Sequence, residues 1–99
     1  MLFIIATLKC QVAKRDALIA AARTCIGATR QEPGCGLYDM HESVTEPGTF
    51  RFVEHWQDRA AVDAHLSSPH IKAFSAVAAE CLAEAPRIEL ITPAGVEFL

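Results

Sequence analysis

The chain has 99 residues, of which 52% are hydrophobic, and carries a formal net charge of −3. That size sets one compact domain, residues 1–99, and excludes a disordered or low-complexity protein. With no basic cluster there is no electrostatic footprint for nucleic acid.

The first expected element is a strand over residues 2–9. Leu2, Ile4, Ala6 and Leu8 face one way, and Phe3, Ile5 and Thr7 the other. Both faces are apolar, so both need cover. The apolar run stops at Lys9, too short for a membrane span. It lacks a charged start and a cleavage site, so no signal peptide and a cytoplasmic location are expected. A helix follows over 14–31, with Leu18, Ala22, Cys25, Ile26 and Thr29 on one stripe. Pro33-Gly34 ends it, because Pro cannot continue a helix and Gly suits the bend. Strands over 36–44 and 50–57 flank the turn Thr45-Glu-Pro-Gly-Thr49 and form a hairpin. Phe50, Phe52, Glu54 and Trp56 share one face of the second of these strands.

Asp58 is the expected N-cap of a short helix over 59–66. Ser68-Pro69 restarts the helix, Ser as cap and Pro in the first position, and the second piece runs to about Glu84. Its apolar stripe is Ile71, Phe74, Val77, Ala78, Cys81 and Leu82. Pro86 ends it, a strand covers 87–92, and Pro93-Ala-Gly95 precedes the apolar tail Val96-Glu-Phe-Leu99. The four cysteines, Cys10, Cys25, Cys35 and Cys81, include no Cys-x-x-Cys pair. Free thiols in a reducing compartment are expected, with neither a zinc site nor a redox motif.

The order is β-α-β-β-α-β, an α+β, ferredoxin-like arrangement with a four-stranded antiparallel sheet and its helices on one face. Two helices cover one face only, whereas the first strand is apolar on both. A second copy packed sheet to sheet, a twofold homodimer, covers the other. The tail after residue 93 then reads as an arm across that partner.

Chemistry concentrates at the junction from Glu54 to Phe74, which holds the single Trp and three of the four His. Trp56 serves either as a core aromatic or as a wall of a flat pocket. Glu54, sharing a face with Phe50, Phe52 and Trp56, is a structural hydrogen-bond acceptor or, if buried, a base with a raised pKa. His65 and His70 are proton acceptors suited to neutral pH or helix-end anchors. They lie five apart across the break, which is not the i, i+4 spacing of a helical metal pair, so no metal site is expected. Tyr38 lines either core or pocket, and His55 points away from Trp56, toward solvent or the dimer interface.

Three pieces together carry a family resemblance. They are Glu32-Pro-Gly-Cys35 before a strand, Glu54-x-Trp56 at the end of another, and His65-Leu-Ser-Ser-Pro-His70-Ile-Lys-Ala-Phe74 across the helix break. The chain resembles the antibiotic biosynthesis monooxygenase-like family, in particular the small quinol monooxygenases. The resemblance spans nearly the whole chain. It implies a ferredoxin-like subunit, a homodimer with a central α+β barrel, and a pocket between sheet and helices. A haem-degrading branch shares the fold, but this chain offers Ala6, His65 and Ser75 where that branch places Asn, Trp and an iron-ligating His, which argues against haem.

The resemblance implies a cofactor-free monooxygenase using dioxygen on a quinol-like or polycyclic phenolic substrate. Trp56, Phe52, Phe74 and Tyr38 would shape the pocket. His65 is the first choice of base, with His70 and Glu54 as alternatives or orienting partners. The His-x-x-Ser-Pro-His pattern also resembles autoinducer-2 phosphate processing isomerases. A phosphorylated substrate needs cationic anchors, for which Arg51 and Lys72 are the nearest candidates. A third reading is a non-catalytic ligand-binding dimer, which requires a cavity without a titratable group.

Overall fold

A computed structural model describes residues 1–99. Strand β1 spans Leu2–Lys9, helix α1 Arg15–Thr29, β2 Cys35–Glu42 and β3 Thr49–Trp56. Helices α2 (Arg59–Leu66) and α3 (Pro69–Cys81) follow, and β4 (Arg87–Ile91) closes the order. The sheet is antiparallel, ordered β2-β3-β1-β4. This is the ferredoxin-like α+β arrangement expected, with the second helix broken in two.

Register sorts the sheet's two faces. Ile4 pairs Glu54 and Leu90, Ala6 pairs Phe52 and Ile88, and Leu8 pairs Phe50. These lie beneath the helices, where Ile4, Ala6, Leu8, Phe50, Phe52, Glu54 and Trp56 are all buried. Phe3, Ile5 and Thr7 lie on the other face beside His55, Val53 and Arg51. Leu18, Ala22, Cys25 and Thr29 bury the inner stripe of α1, and Phe74, Ala78 and Cys81 that of α3. The two helices pack side by side on the sheet.

The boundary signals act as their chemistry requires. Asp58 accepts a hydrogen bond from the Ala61 N–H at 2.9 Å and caps α2. Ser68 Oγ accepts from the Ile71 N–H at 3.3 Å and caps α3, with Pro69 in its first turn. In the hairpin turn, Gly48 takes φ 88°, which a residue without Cβ adopts freely. Its N–H donates to Glu42 at 3.0 Å.

The limits of both long helices differ from the spacing-based expectation. The first helix begins at Arg15 after a 3-10 turn, Val12–Lys14, and ends at Thr29. Helix α3 stops at Cys81, not near Glu84, because the following backbone is claimed by the sheet side. Leu82 is extended (φ −80°, ψ 144°) and bridges Cys10. The Gln11 N–H donates to the Cys81 carbonyl at 2.9 Å, and the Ala83 N–H to that of Lys9 at 2.7 Å. Pairing with the end of β1 outweighs the helical propensity of Ala83 and Glu84.

Candidate functional site

Between the sheet's inner face and helices α2–α3 lies a cavity of about 240 Å³. Ile4, Ala6, Phe52, Phe74 and Ala78 give it an apolar lining, and Ile88 and Leu66 stand at its rim, 62% and 53% exposed. Its ionisable lining residues are Glu54, His65 and Tyr38; no Lys or Arg reaches it.

Glu54 enters from β3, between Phe52 and Trp56. It is 5% exposed, and the Trp56 indole N–H donates to its Oε1 at 2.8 Å. Burial penalises the charged carboxylate, so its pKa is pushed up to about 7, although the indole hydrogen bond pulls it back. Glu54 therefore titrates within the physiological range.

His65 sits in the last turn of α2 and is 2% exposed. Its Nδ1 lies 2.7 Å from Glu32 Oε2. The same oxygen lies 2.9 Å from Nε2 of His70, on the first turn of α3. An ionised carboxylate only accepts, so both imidazoles donate to it. That fixes the His65 proton on Nδ1 and turns the Nε2 lone pair outward. Nε2 makes no hydrogen bond within the chain, and His65 lines the cavity. Desolvation lowers the His65 pKa against the opposing pull of Glu32, so the ring stays neutral and able to accept a proton.

Aromatic packing holds that ring still. Trp56 lies beside it with centroids 4.7 Å apart, and Tyr38 meets it edge-on at 5.2 Å. The Tyr38 hydroxyl turns away to within 3.8 Å of the Cys25 sulfur. Burial raises the Tyr38 pKa, so its phenol stays protonated.

The sequence profile of the family described as antibiotic biosynthesis monooxygenase matches residues 1–77. The chain belongs to this family. The Bacillus subtilis protein named "Putative monooxygenase YcnE" is 33% identical over 82 residues, 83% of this chain and 86% of that protein. A Synechocystis protein, sll1783, is 35% identical over 86 residues, 87% of this chain; the match spans only 58% of that longer relative. The solved structure of Rv0793 from Mycobacterium tuberculosis superposes with a TM-score of 0.91 at 30% identity and 96% coverage of each chain. The family description and the name of the Bacillus subtilis relative support a monooxygenase-like function.

Within this family member, the residues expected at the site divide into two groups. Glu54, His65, Tyr38, Phe52 and Phe74 line the cavity. Trp56 and His70 do not. Trp56 is expected as a pocket wall, but it is 1% exposed and stands behind Glu54 and His65, binding the one and packing on the other. His70 approaches His65 from the far side, through Glu32. Arg51 lies on the opposite sheet face, and Lys72 is exposed on α3, so neither reaches the cavity. His55 stacks on Phe3 at 4.1 Å on that opposite face.

Sequence reasoning missed Glu32 as a site residue. It was visible only as part of the Glu-Pro-Gly-Cys motif, and its role depends on a contact 33 residues along the chain.

Proposed function

We propose that the protein is a cofactor-independent monooxygenase that oxidises a small quinol with dioxygen, His65 acting as the base. The observation that carries this reading is the buried imidazole on an apolar cavity, its Nδ1 2.7 Å from Glu32; with Glu32 accepting that bond, Nε2 is left as the basic nitrogen. Such an arrangement takes a proton from a bound phenol without holding charge beforehand. A volume of about 240 Å³ lies below the roughly 300 Å³ at which drug-sized pockets begin, favouring one or two rings over a polycycle.

The steps follow from these groups. The quinol hydroxyl gives its proton to His65 Nε2. The phenolate, in an apolar lining, is electron-rich enough to reduce dioxygen by one electron. Recombination of the resulting pair forms a carbon–oxygen bond at the ring as a peroxide. The peroxide's distal oxygen then takes the hydrogen from the ring carbon that bears it as the O–O bond breaks, so that carbon becomes a carbonyl and hydroxide leaves; His65 returns its proton to that hydroxide as water. Quinol plus dioxygen thus gives hydroxyquinone plus water, one oxygen atom in each product. The imidazolium formed midway is stabilised by Glu32 on its far side. Glu54, titrating near 7 on the same lining, is the second group able to carry a proton.

An isomerase acting on a phosphorylated compound is disfavoured because no cationic side chain lines the cavity. The titratable pair His65 and Glu54 is likewise what a non-catalytic ligand-binding protein has no need for.

The test is dioxygen uptake against benzo- and naphthohydroquinones, with chelator present and autoxidation subtracted. Wild-type protein should accelerate uptake with at least one of them. His65→Ala should lower that turnover by about 10²–10⁴-fold, the range of a general base, with an unchanged circular dichroism spectrum. Uptake equal in wild type and His65→Ala removes His65 as base, and no acceleration across the panel removes the reading.

A further inference from the structure

Glu32 and His65, which the proton transfer uses, form with His70 a second arrangement whose three donor atoms converge. Sequence spacing argues against a metal pair, since residues five apart on one helix point in different directions. The chain between them is not one helix. Ser67 closes α2, Ser68 is extended (φ −71°, ψ 150°), and α3 starts afresh at Pro69. The Ser68 hydroxyl donates to the His65 carbonyl at 2.6 Å and accepts from Ile71, tying the two helix ends together. This break swings His70 back toward His65. Both imidazoles converge on one carboxylate oxygen, and the three donor atoms lie within 4.8 Å of one another.

We infer that Glu32 Oε2, His65 Nδ1 and His70 Nε2 form a site for a divalent transition-metal ion of the zinc class. The donor set is two imidazoles and a carboxylate, which zinc accepts with a fourth position left to water. At bonds of about 2.0–2.2 Å, tetrahedral ligand atoms sit about 3.3 Å apart. The oxygen-to-nitrogen separations, 2.7 and 2.9 Å, are those of hydrogen bonds and need to open by only a few tenths of an ångström. The nitrogens have to close on each other, and His70 is free to supply that movement. It sits on the first turn of α3 with 21% of its side chain exposed, against 2% for His65. Glu32, at 17%, and His70 leave the entry open from the surface, away from the substrate cavity. No thiol takes part, so the oxygen and nitrogen donors set the preference.

Occupancy has a consequence, which rests on the function proposed above. A metal on Nδ1 pushes the single proton of neutral His65 to Nε2. The nitrogen facing the cavity changes from acceptor to donor and no longer takes a proton from the quinol. The same triad thus holds the base ready when metal-free and disables it when occupied.

Two separate measurements test this. The first is isothermal titration of Zn²⁺ into chelator-stripped, reduced full-length protein, repeated on Glu32→Gln and His70→Ala. We expect one ion per chain in wild type. In both variants the affinity should fall beyond the roughly 10–100-fold lost with an outer-shell partner. Glu32→Gln keeps shape and hydrogen-bonding capacity, so it stands if His70→Ala unfolds. Absence of binding in wild type overturns the site. So does binding unchanged in Glu32→Gln, or binding abolished by thiol alkylation while Glu32→Gln still binds. The second measurement is dioxygen uptake by wild type with Zn²⁺ at saturation. Loss of uptake is expected, and full uptake by the metal-loaded protein overturns the switch while leaving the site intact. If no quinol is oxidised even without metal, the monooxygenase reading fails, and the titration still decides the site.

Discussion

Glu54 occupies a position where ionisation is costly. The gap between a free carboxyl at 4.5 and about 7 here corresponds to about 3 kcal/mol of destabilisation once the group is charged. The raised folded-state value sets the sign. Below about 4.5 both states are protonated and the cost is absent. It grows as pH rises and is complete above about 7. Glu54→Gln keeps an oxygen for the Trp56 indole and removes the charge. It should therefore stabilise the fold by up to about 3 kcal/mol at pH 8 and by little at pH 4.5, read by urea unfolding at the two pH values. Equal effects at both would mean that the carboxylate is solvated. Glu32→Gln acts at the same scale but on rate. It leaves His65 buried with a partner that no longer stabilises the imidazolium, so kcat should fall about 10–100-fold with KM little changed. Activity surviving Glu32→Gln in full would separate Glu32 from the proton transfer.

At the scale of elements, the site depends on where α2 lies, and Gly34 sets that. A Cβ at residue 34 would overlap the Ala61 Cβ, and the Gly34 carbonyl accepts from the Gln57 N–H at 2.9 Å. Gly34→Ala should cost about 1–3 kcal/mol by overpacking and should displace the helix that carries His65. Adding Ala61→Gly makes room, so the double variant should recover stability and turnover; a non-recovering pair would show that backbone freedom, not contact, is at stake. This scale also shows what the sequence discloses. Periodicity and caps at Asp58 and Ser68 located the four strands and three α-helices, though not the 3-10 turn before α1, because those signals are local. The end of α3 was misplaced because the pairing of Leu82 with Cys10 is not local. For the same reason, Glu54 and His65 were legible as candidates from their apolar neighbours. Glu32 was not, since only the folded chain brings residues 32, 65 and 70 together. Trp56 misleads in a related way: a large aromatic beside catalytic candidates reads as pocket wall, yet its size suits it to the packing behind them.

At the scale of the whole molecule, the accessible surface exceeds that of an average monomer of this mass. Its accessible area is 6314 Å², whereas a monomer of 10.8 kDa is expected near 5500 Å². The excess of about 800 Å² matches one partner's share of a standard interface. Apolar groups are uncovered in two places: the face of Phe3, Ile5 and Val53, half-buried, and the tail of Val96, Phe98 and Leu99, exposed. We propose that this face and tail meet a second copy about a twofold axis. Val53 sits centrally, paired with Ile5 on one side and Asp39 on the other. Val53→Glu would put a carboxylate inside the interface beside Asp39, where desolvating its charge costs far more than the same change in water. Sedimentation equilibrium should give a two-chain mass for wild type and a one-chain mass for Val53→Glu, with circular dichroism unchanged. The same substitution leaves the cavity untouched, because residue 53 is on the other side of the sheet from Phe52 and Glu54. Turnover surviving in a folded single chain would show that each subunit's site is complete in itself. A wild-type protein that sediments as one chain would mean that the outer sheet face tolerates water.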